Sequence, residues 1–215
     1  MDNVWFTSDT HFNHAGIFRF RPWFRDLTDM NETMIARWNE CVQPGDRVYH
    51  LGDFALGDRE GATRIFHRLN GQKFLLRGNH EAIGEKLPWV WVKDYHMLKY
   101  RGQKIALCHY AFRTWNCSHH GAWNLHGHSP GTLEDLPTYR QMDVGVDCNG
   151  FYPVSFDKAA LHMSTKTFKP VDHHGDETYE TSGQGSESGR TAITTPVRCY
   201  YGYARSAGEA QAGER

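Results

Sequence analysis

The feature that most constrains this chain is a rhythm: a short apolar run, then a turn bearing oxygen or nitrogen lone pairs. Val4-Trp5-Phe6 leads into Asp9-Thr10-His11, and Val48-Tyr49-His50-Leu51 leads into Gly52-Asp53. Lys73 to Leu76 leads into Gly78-Asn79-His80-Glu81, Lys104 to Cys108 into His109, and Ala122 to Leu125 into His126-Gly127-His128. Short apolar runs bounded by turn residues read as strands. When such strands share a sheet, their ends lie along one edge. Strand ends carrying carboxylate, amide and imidazole groups therefore suggest one metal centre assembled there.

Between the first three runs the apolar spacing becomes helical. Met30, Met34, Ile35, Trp38 and Val42 share one face, with Thr28 or Asp29 available as the N-cap. Asp58 caps a second helix carrying Ala62, Ile65, Phe66 and Leu69, ended by Asn70-Gly71. Strand, helix, strand, helix, strand is the order of an α/β sandwich. Farther on, Tyr95 to Tyr100 and Lys104 to Cys108 flank Arg101-Gly102 as a β-hairpin. Gln141 to Val146 reads as a further strand and Phe156 to Met163 as a short closing helix.

Pro22 makes Arg19 to Arg25 a loop. Its aromatics either pack on the core with the arginines solvated, the favoured reading, or form a wall that stacks on a base or grips a phosphate. Beyond residue 170 the periodicity stops, and Gly, Ser, Thr and Glu dominate. The expected organisation is one domain over 1–170 and a disordered C-terminal tail over 171–215. Within that tail Val197 to Tyr201 is a small apolar island.

Charge and cysteine usage narrow the partners. Lys and Arg total 24 against 25 Asp and Glu, a net charge of -1, so nothing electrostatic favours nucleic acid or a membrane surface. No apolar run approaches the roughly 20 residues of a membrane span. The first residues lack the basic and apolar regions of a signal peptide. Cys41, Cys108, Cys117, Cys148 and Cys199 show no CxxC spacing and read as free thiols of a reducing compartment. A cytoplasmic protein without a membrane partner is expected.

The chemistry follows from the donor types. Asp9 and His11 can grip one cation with a carboxylate oxygen and a ring nitrogen, and Asp53 can bridge to a second. Asn79, His109 and His128 suit that second cation. Such a donor set, with no cysteine, suits a borderline divalent ion: Mn, Fe, Co, Ni or Zn. Two such ions about 3.5–4 Å apart can deprotonate a shared water and stabilise a leaving oxygen. His50 either supports a ligand or sits in the core. His14 either reaches a substrate phosphate or caps a turn.

Asp9-Thr10-His11, Gly52-Asp53, Gly78-Asn79-His80-Glu81, His109 and Gly127-His128 resemble the ordered DxH, GD, GNH[DE], H and GHxH motifs of the calcineurin-like metallophosphoesterases. The motifs span residues 9–130. The resemblance implies a four-layer αββα sandwich with a dinuclear site, most readily of Mn, and hydrolysis of a phosphomonoester or phosphodiester by metal-bound hydroxide. It gives Asp9, His11 and Asp53 to one metal and Asp53, Asn79, His109 and His128 to the other. His80 corresponds to the family histidine that contacts the phosphoryl group, with Glu81 holding its ring.

One position departs from the pattern. The second histidine of GHxH is replaced by Pro130, which offers no side-chain ligand. Either water completes the first site, the favoured reading, or the register shifts and His126 ligates with His128. The alternatives to a phosphatase or phosphodiesterase are a binding module with a decayed site and a nuclease. His80 and Asp53 weigh against decay. The neutral charge weighs against a nuclease, leaving a small phosphate ester as the expected partner and the oligomeric state open.

Overall fold

The computed structural model describes residues 3–169. The expected tail, with Val197 to Tyr201, lies outside these residues. Two sheets stack face to face. The first contains β1 (Val4–Thr7), β2 (Arg47–His50), β3 (Gln72–Leu76), β4 (Val92–Lys93) and β9 (Val154–Ser155) in the order β4-β3-β2-β1-β9. The second contains β5 (His96–Tyr100), β6 (Gln103–Leu107), β7 (Trp123–His126) and β8 (Gln141–Asp143) in sequence order. Helices α1 (Leu27–Cys41) and α2 (Arg59–Arg68) join the first three strands, and α3 (Phe156–Ser164) follows β9. This is the α/β sandwich that the strand and helix order predicts.

Register is what places the turns bearing the candidate ligands together. β1, β2 and β3 are parallel, with Thr7 opposite His50 and His50 opposite Leu75. Their C-terminal ends are level, so Asp9, Asp53 and Asn79 leave the sheet at one edge. In the second sheet β6 and β7 are also parallel, with Leu107 opposite Leu125. The turns bearing His109 and His128 therefore leave it side by side.

Two cores hold this arrangement. Met30, Met34, Ile35 and Trp38 of α1 and Ala62, Ile65 and Phe66 of α2 pack with Val48 and Leu75. Phe6, Tyr49, Leu76, Ile105, Leu107, Trp123 and Leu125 fill the space between the sheets, and Phe156, Ala159 and Met163 of α3 join them. Each fully buried large side chain contributes about 1.5–3 kcal/mol. The polar face of the second sheet is also used. Asn124 and Gln141 bond the loop after β6, with Phe112 N donating to Asn124 Oδ1 at 3.0 Å.

Several expectations change. The cap of α1 is Asp26, whose side chain accepts from Asp29 N; Thr28 and Asp29 lie inside the helix. β8 ends at Asp143, not Val146, because Asp143 Oδ1 accepts from Gly145 N at 2.7 Å and turns the chain into a 3-10 turn over Val146–Cys148. The segment before Arg21 is a 3-10 helix, Ala15–Phe20. β4 and β9 are additional. Cys41, Cys108, Cys117 and Cys148 are free thiols. Among the described residues no helix is long and apolar enough to cross a membrane.

Candidate metal centre

The turns at the sheet edge adopt backbone conformations that side-chain-bearing residues rarely choose. Asp9, His11, Asp53 and His128 have φ of 57°, 47°, 60° and 70°. Aspartate and histidine tolerate this left-handed region better than most residues, yet each instance still carries strain. Four of the expected ligands share it. Neighbouring chain segments hold them in place: Asp9 N donates to Gly52 O at 2.9 Å and His11 N to Asp53 O at 3.0 Å. Gly78 is required by close approach, since a Cβ there would collide with the backbone nitrogen and carboxylate of Asp53.

These turns bring lone pairs together. His109 Nε2 lies 3.0 Å from Asn79 Oδ1 and 3.2 Å from His128 Nδ1, and His128 Nδ1 is 3.0 Å from Asn79 Oδ1. Asp53 Oδ2 is 3.7 Å from His109 Nε2 and 3.6 Å from His11 Nε2. The other nitrogen of His109, Nδ1, lies 2.7 Å from Leu51 O and donates to it. That bond fixes the tautomer and leaves Nε2 with a bare lone pair. Asp9, Asp53 and His109 each offer an atom within 4.8 Å of the others'.

Each carboxylate has one oxygen anchored. Asp53 Oδ1 accepts from His80 N at 2.8 Å, which leaves Oδ2 beside both histidines. Asp9 Oδ2 accepts from His128 N at 3.0 Å and ties the β1 turn to the β7 turn. A cluster so rich in acceptors and so poor in donors fits a cation.

Electrostatics point the same way. Burial pushes the Asp9 carboxyl up to about 8. Burial, reinforced by the charge of Arg21, lowers His11 to about 3. His109 is also lowered by burial, against an upward pull from Asp53. The protein alone thus disfavours both a charged Asp9 and charged histidines. A divalent cation would stabilise the carboxylates and bind neutral imidazoles.

The other sequence candidates fall in different places. His80 is exposed, its ring 5.7 Å from that of His11. His14 Nδ1 lies 3.3 Å from His11 Nδ1, and His14 occupies the cap position of the 3-10 helix without a side-chain cap bond. His126 is buried, makes none of the cluster's contacts, and places Nδ1 3.2 Å from Gly127 O. Pro130 is exposed. His50 is buried in the core, where its Nε2 lies 3.0 Å from Thr10 Oγ1.

Glu81 requires a correction. The structure does not turn its carboxylate to the His80 ring. Oε2 accepts from Asp53 N at 2.7 Å and Gly78 N at 3.0 Å, and Oε1 accepts from Phe54 N at 3.1 Å. Glu81 therefore braces the Asp53 turn and the Gly78 turn against each other. Asp147, read from the sequence as a turn residue that could tune the site from behind the ligands, does lie near it through Arg21, which was missed: Arg21 is completely buried and bonds Asp147 and the Asp9-Thr10 backbone. Nothing local in the sequence signals a pair so far apart.

Residues 3–184 match the calcineurin-like phosphoesterase family, and the chain belongs to it. Over 166 residues it is 34% identical to "Uncharacterized protein MJ1445" of Methanocaldococcus jannaschii, covering 73% of this chain and 89% of the relative. "Gene 66 protein" of Mycobacterium phage D29 is 29% identical over 180 residues, covering 68% of this chain and 89% of the relative. The crystal structure of the protein of unknown function AQ665 from Aquifex aeolicus shares the fold, with a TM-score of 0.60 at 24% identity. It covers 75% of this chain and 100% of its own.

Proposed function

We propose that this protein is a metal-dependent hydrolase of small phosphomonoesters or phosphodiesters. The observation that carries the reading is Asp53 Oδ2, one oxygen placed near both His11 Nε2 and His109 Nε2. It is the atom that two cation sites would share. Asp9, His11 and Asp53 would hold one ion, and Asp53, Asn79, His109 and His128 the other. Bound ions would supply Lewis acidity toward the phosphoryl oxygens and activate water. Mn is the first candidate from the family resemblance, and the mixed carboxylate, amide and imidazole donors fit Fe, Zn, Ni or Co as well.

The chain's own residues then set the geometry. Leu51 O keeps the His109 Nε2 lone pair pointed into the cluster. Glu81 keeps the Asp53 and Gly78 turns in contact. His80, exposed with its ring 5.7 Å from that of His11, would stabilise charge on the phosphoryl group or protonate the leaving oxygen. His14 Nδ1 lies 3.3 Å from His11 Nδ1, and a hydrogen bond from His11 Nδ1–H to it would leave His11 Nε2 free to ligate.

The test is hydrolysis of p-nitrophenyl phosphate and bis-p-nitrophenyl phosphate by chelator-treated protein, with and without added Mn, Co, Zn, Ni or Fe. Activity is expected only with a metal. Turnover that survives exhaustive chelation would overturn the proposal, as would inactivity with every metal.

A further inference from the structure

Arg21 lies outside every motif of the family pattern, in the segment that reads as a loop, yet its side chain is completely buried. Its donors go to two main targets, and Nη1 also contacts Met30 Sδ at 3.7 Å. One edge forms a forked pair with Asp147: Nε to Oδ1 at 2.8 Å and Nη2 to Oδ2 at 2.7 Å. The rest faces two successive carbonyls, with Nη2 donating to Asp9 O at 2.6 Å and Nη1 to Thr10 O at 3.0 Å.

Successive carbonyls converge on one group here because the backbone is left-handed on both sides of Thr10, at Asp9 (φ 57°) and His11 (φ 47°). These are the two residues whose side chains face the cluster. The side chain of Thr10 is held from another direction, donating to Phe54 O at 2.8 Å and contacting His50 Nε2 at 3.0 Å. Asp147 is itself fixed, since Val146 N donates to Ser8 O at 3.1 Å.

We infer that Arg21, held by Asp147, is a positioning residue for the metal centre: it locks the strained Asp9-Thr10-His11 turn in the conformation that presents both ligand atoms to one cation. The inference rests on the metal-centre reading above. A rigid planar fork is needed to hold two carbonyls and a carboxylate at once, and lysine, with a single flexible point charge, cannot supply it. The clamp as a whole carries no net charge, since Asp147 pairs with the guanidinium.

The test uses the full chain, stripped of metal and titrated with Co(II), whose visible absorption reports ligand number and geometry. Urea unfolding in chelator is measured on the same samples. Two variants are compared with the wild type: Arg21→Lys, and Arg21→Met with Asp147→Leu, which replaces the ion pair by apolar packing and so avoids an orphaned buried charge. In both, one of two Co(II) sites is expected to weaken by about 10–100-fold, with an altered spectrum. The double variant should recover stability in chelator without recovering that site. Wild-type affinity and spectrum in a folded variant would overturn the clamp and leave the metal centre standing. Absence of Co(II) binding by the wild type would overturn the metal-centre reading and the clamp with it.

Discussion

Glu81→Gln tests whether Glu81 braces two turns or serves His80. The carboxylate accepts from three backbone N–H groups, those of Asp53, Phe54 and Gly78. A glutamine carbonyl can take the place of Oε2 and keep the Asp53 and Gly78 bonds. Its NH2 group then faces Phe54 N–H, donor against donor. Losing one charge-assisted bond and leaving a buried N–H unpaired together cost about 3–4 kcal/mol. Part of this is returned, because burial holds the Glu81 carboxyl above its usual range and the neutral amide escapes that penalty. The net expectation is a loss of about 2 kcal/mol, a shift of about 1 M in the urea midpoint. The assay is equilibrium unfolding in chelator, so that metal binding does not contribute, in the wild-type and His80→Ala backgrounds. An unchanged midpoint would refute the reasoning. So would a shift that disappears in the His80→Ala background, since that would return Glu81 to its expected partnership with the imidazole.

Metal binding should be linked to pH through Asp9. Its carboxyl, pushed up to about 8 by burial, must lose a proton to ligate, whereas His11, lowered to about 3, is already neutral. Mn affinity should therefore rise by up to about tenfold per unit from pH about 6 to about 8 and level off above, as calorimetry at several pH values would show. A flat profile would count against Asp9 as a ligand. Asp53→Asn should cost more activity and more bound metal than His11→Gln, because Asp53 Oδ2 faces both halves of the cluster; equal losses would contradict the bridging role. Pro130→His should tighten binding of the weaker metal, provided the exposed turn tolerates the change. If His126→Ala alters metal binding and Pro130→His does not, the shifted register is correct.

Much of this arrangement was legible because strands announce themselves before each candidate ligand. β1, β2, β3, β6 and β7 are apolar runs, Gly102 marks the hairpin, and Asp58 caps α2 as expected. What escaped is what needs three dimensions. β4 and β9 have two residues each, too few for any alternation to register. Asp26, Thr28 and Asp29 are all acceptable caps by type, and only the extended backbone of Asp26 (φ -159°) decides among them. Adjacency suggested that Glu81 holds His80, but the turn directs one side chain inward and the other outward. Arg21 and Asp147 are 126 positions apart, and an arginine among exposed aromatics reads as solvated until the fold closes over it.

The central claim is that the level ends of two sheets assemble a site for two cations sharing Asp53. Crystals of the protein soaked in Mn, with anomalous scattering measured on either side of the Mn absorption edge, test it most directly. The account predicts two anomalous peaks about 3.5–4 Å apart. Both should lie within bonding distance of Asp53, one also against Asp9 and His11 and the other against Asn79, His109 and His128. A lone peak away from Asp53, or no peak at this edge of the sheets, would contradict it.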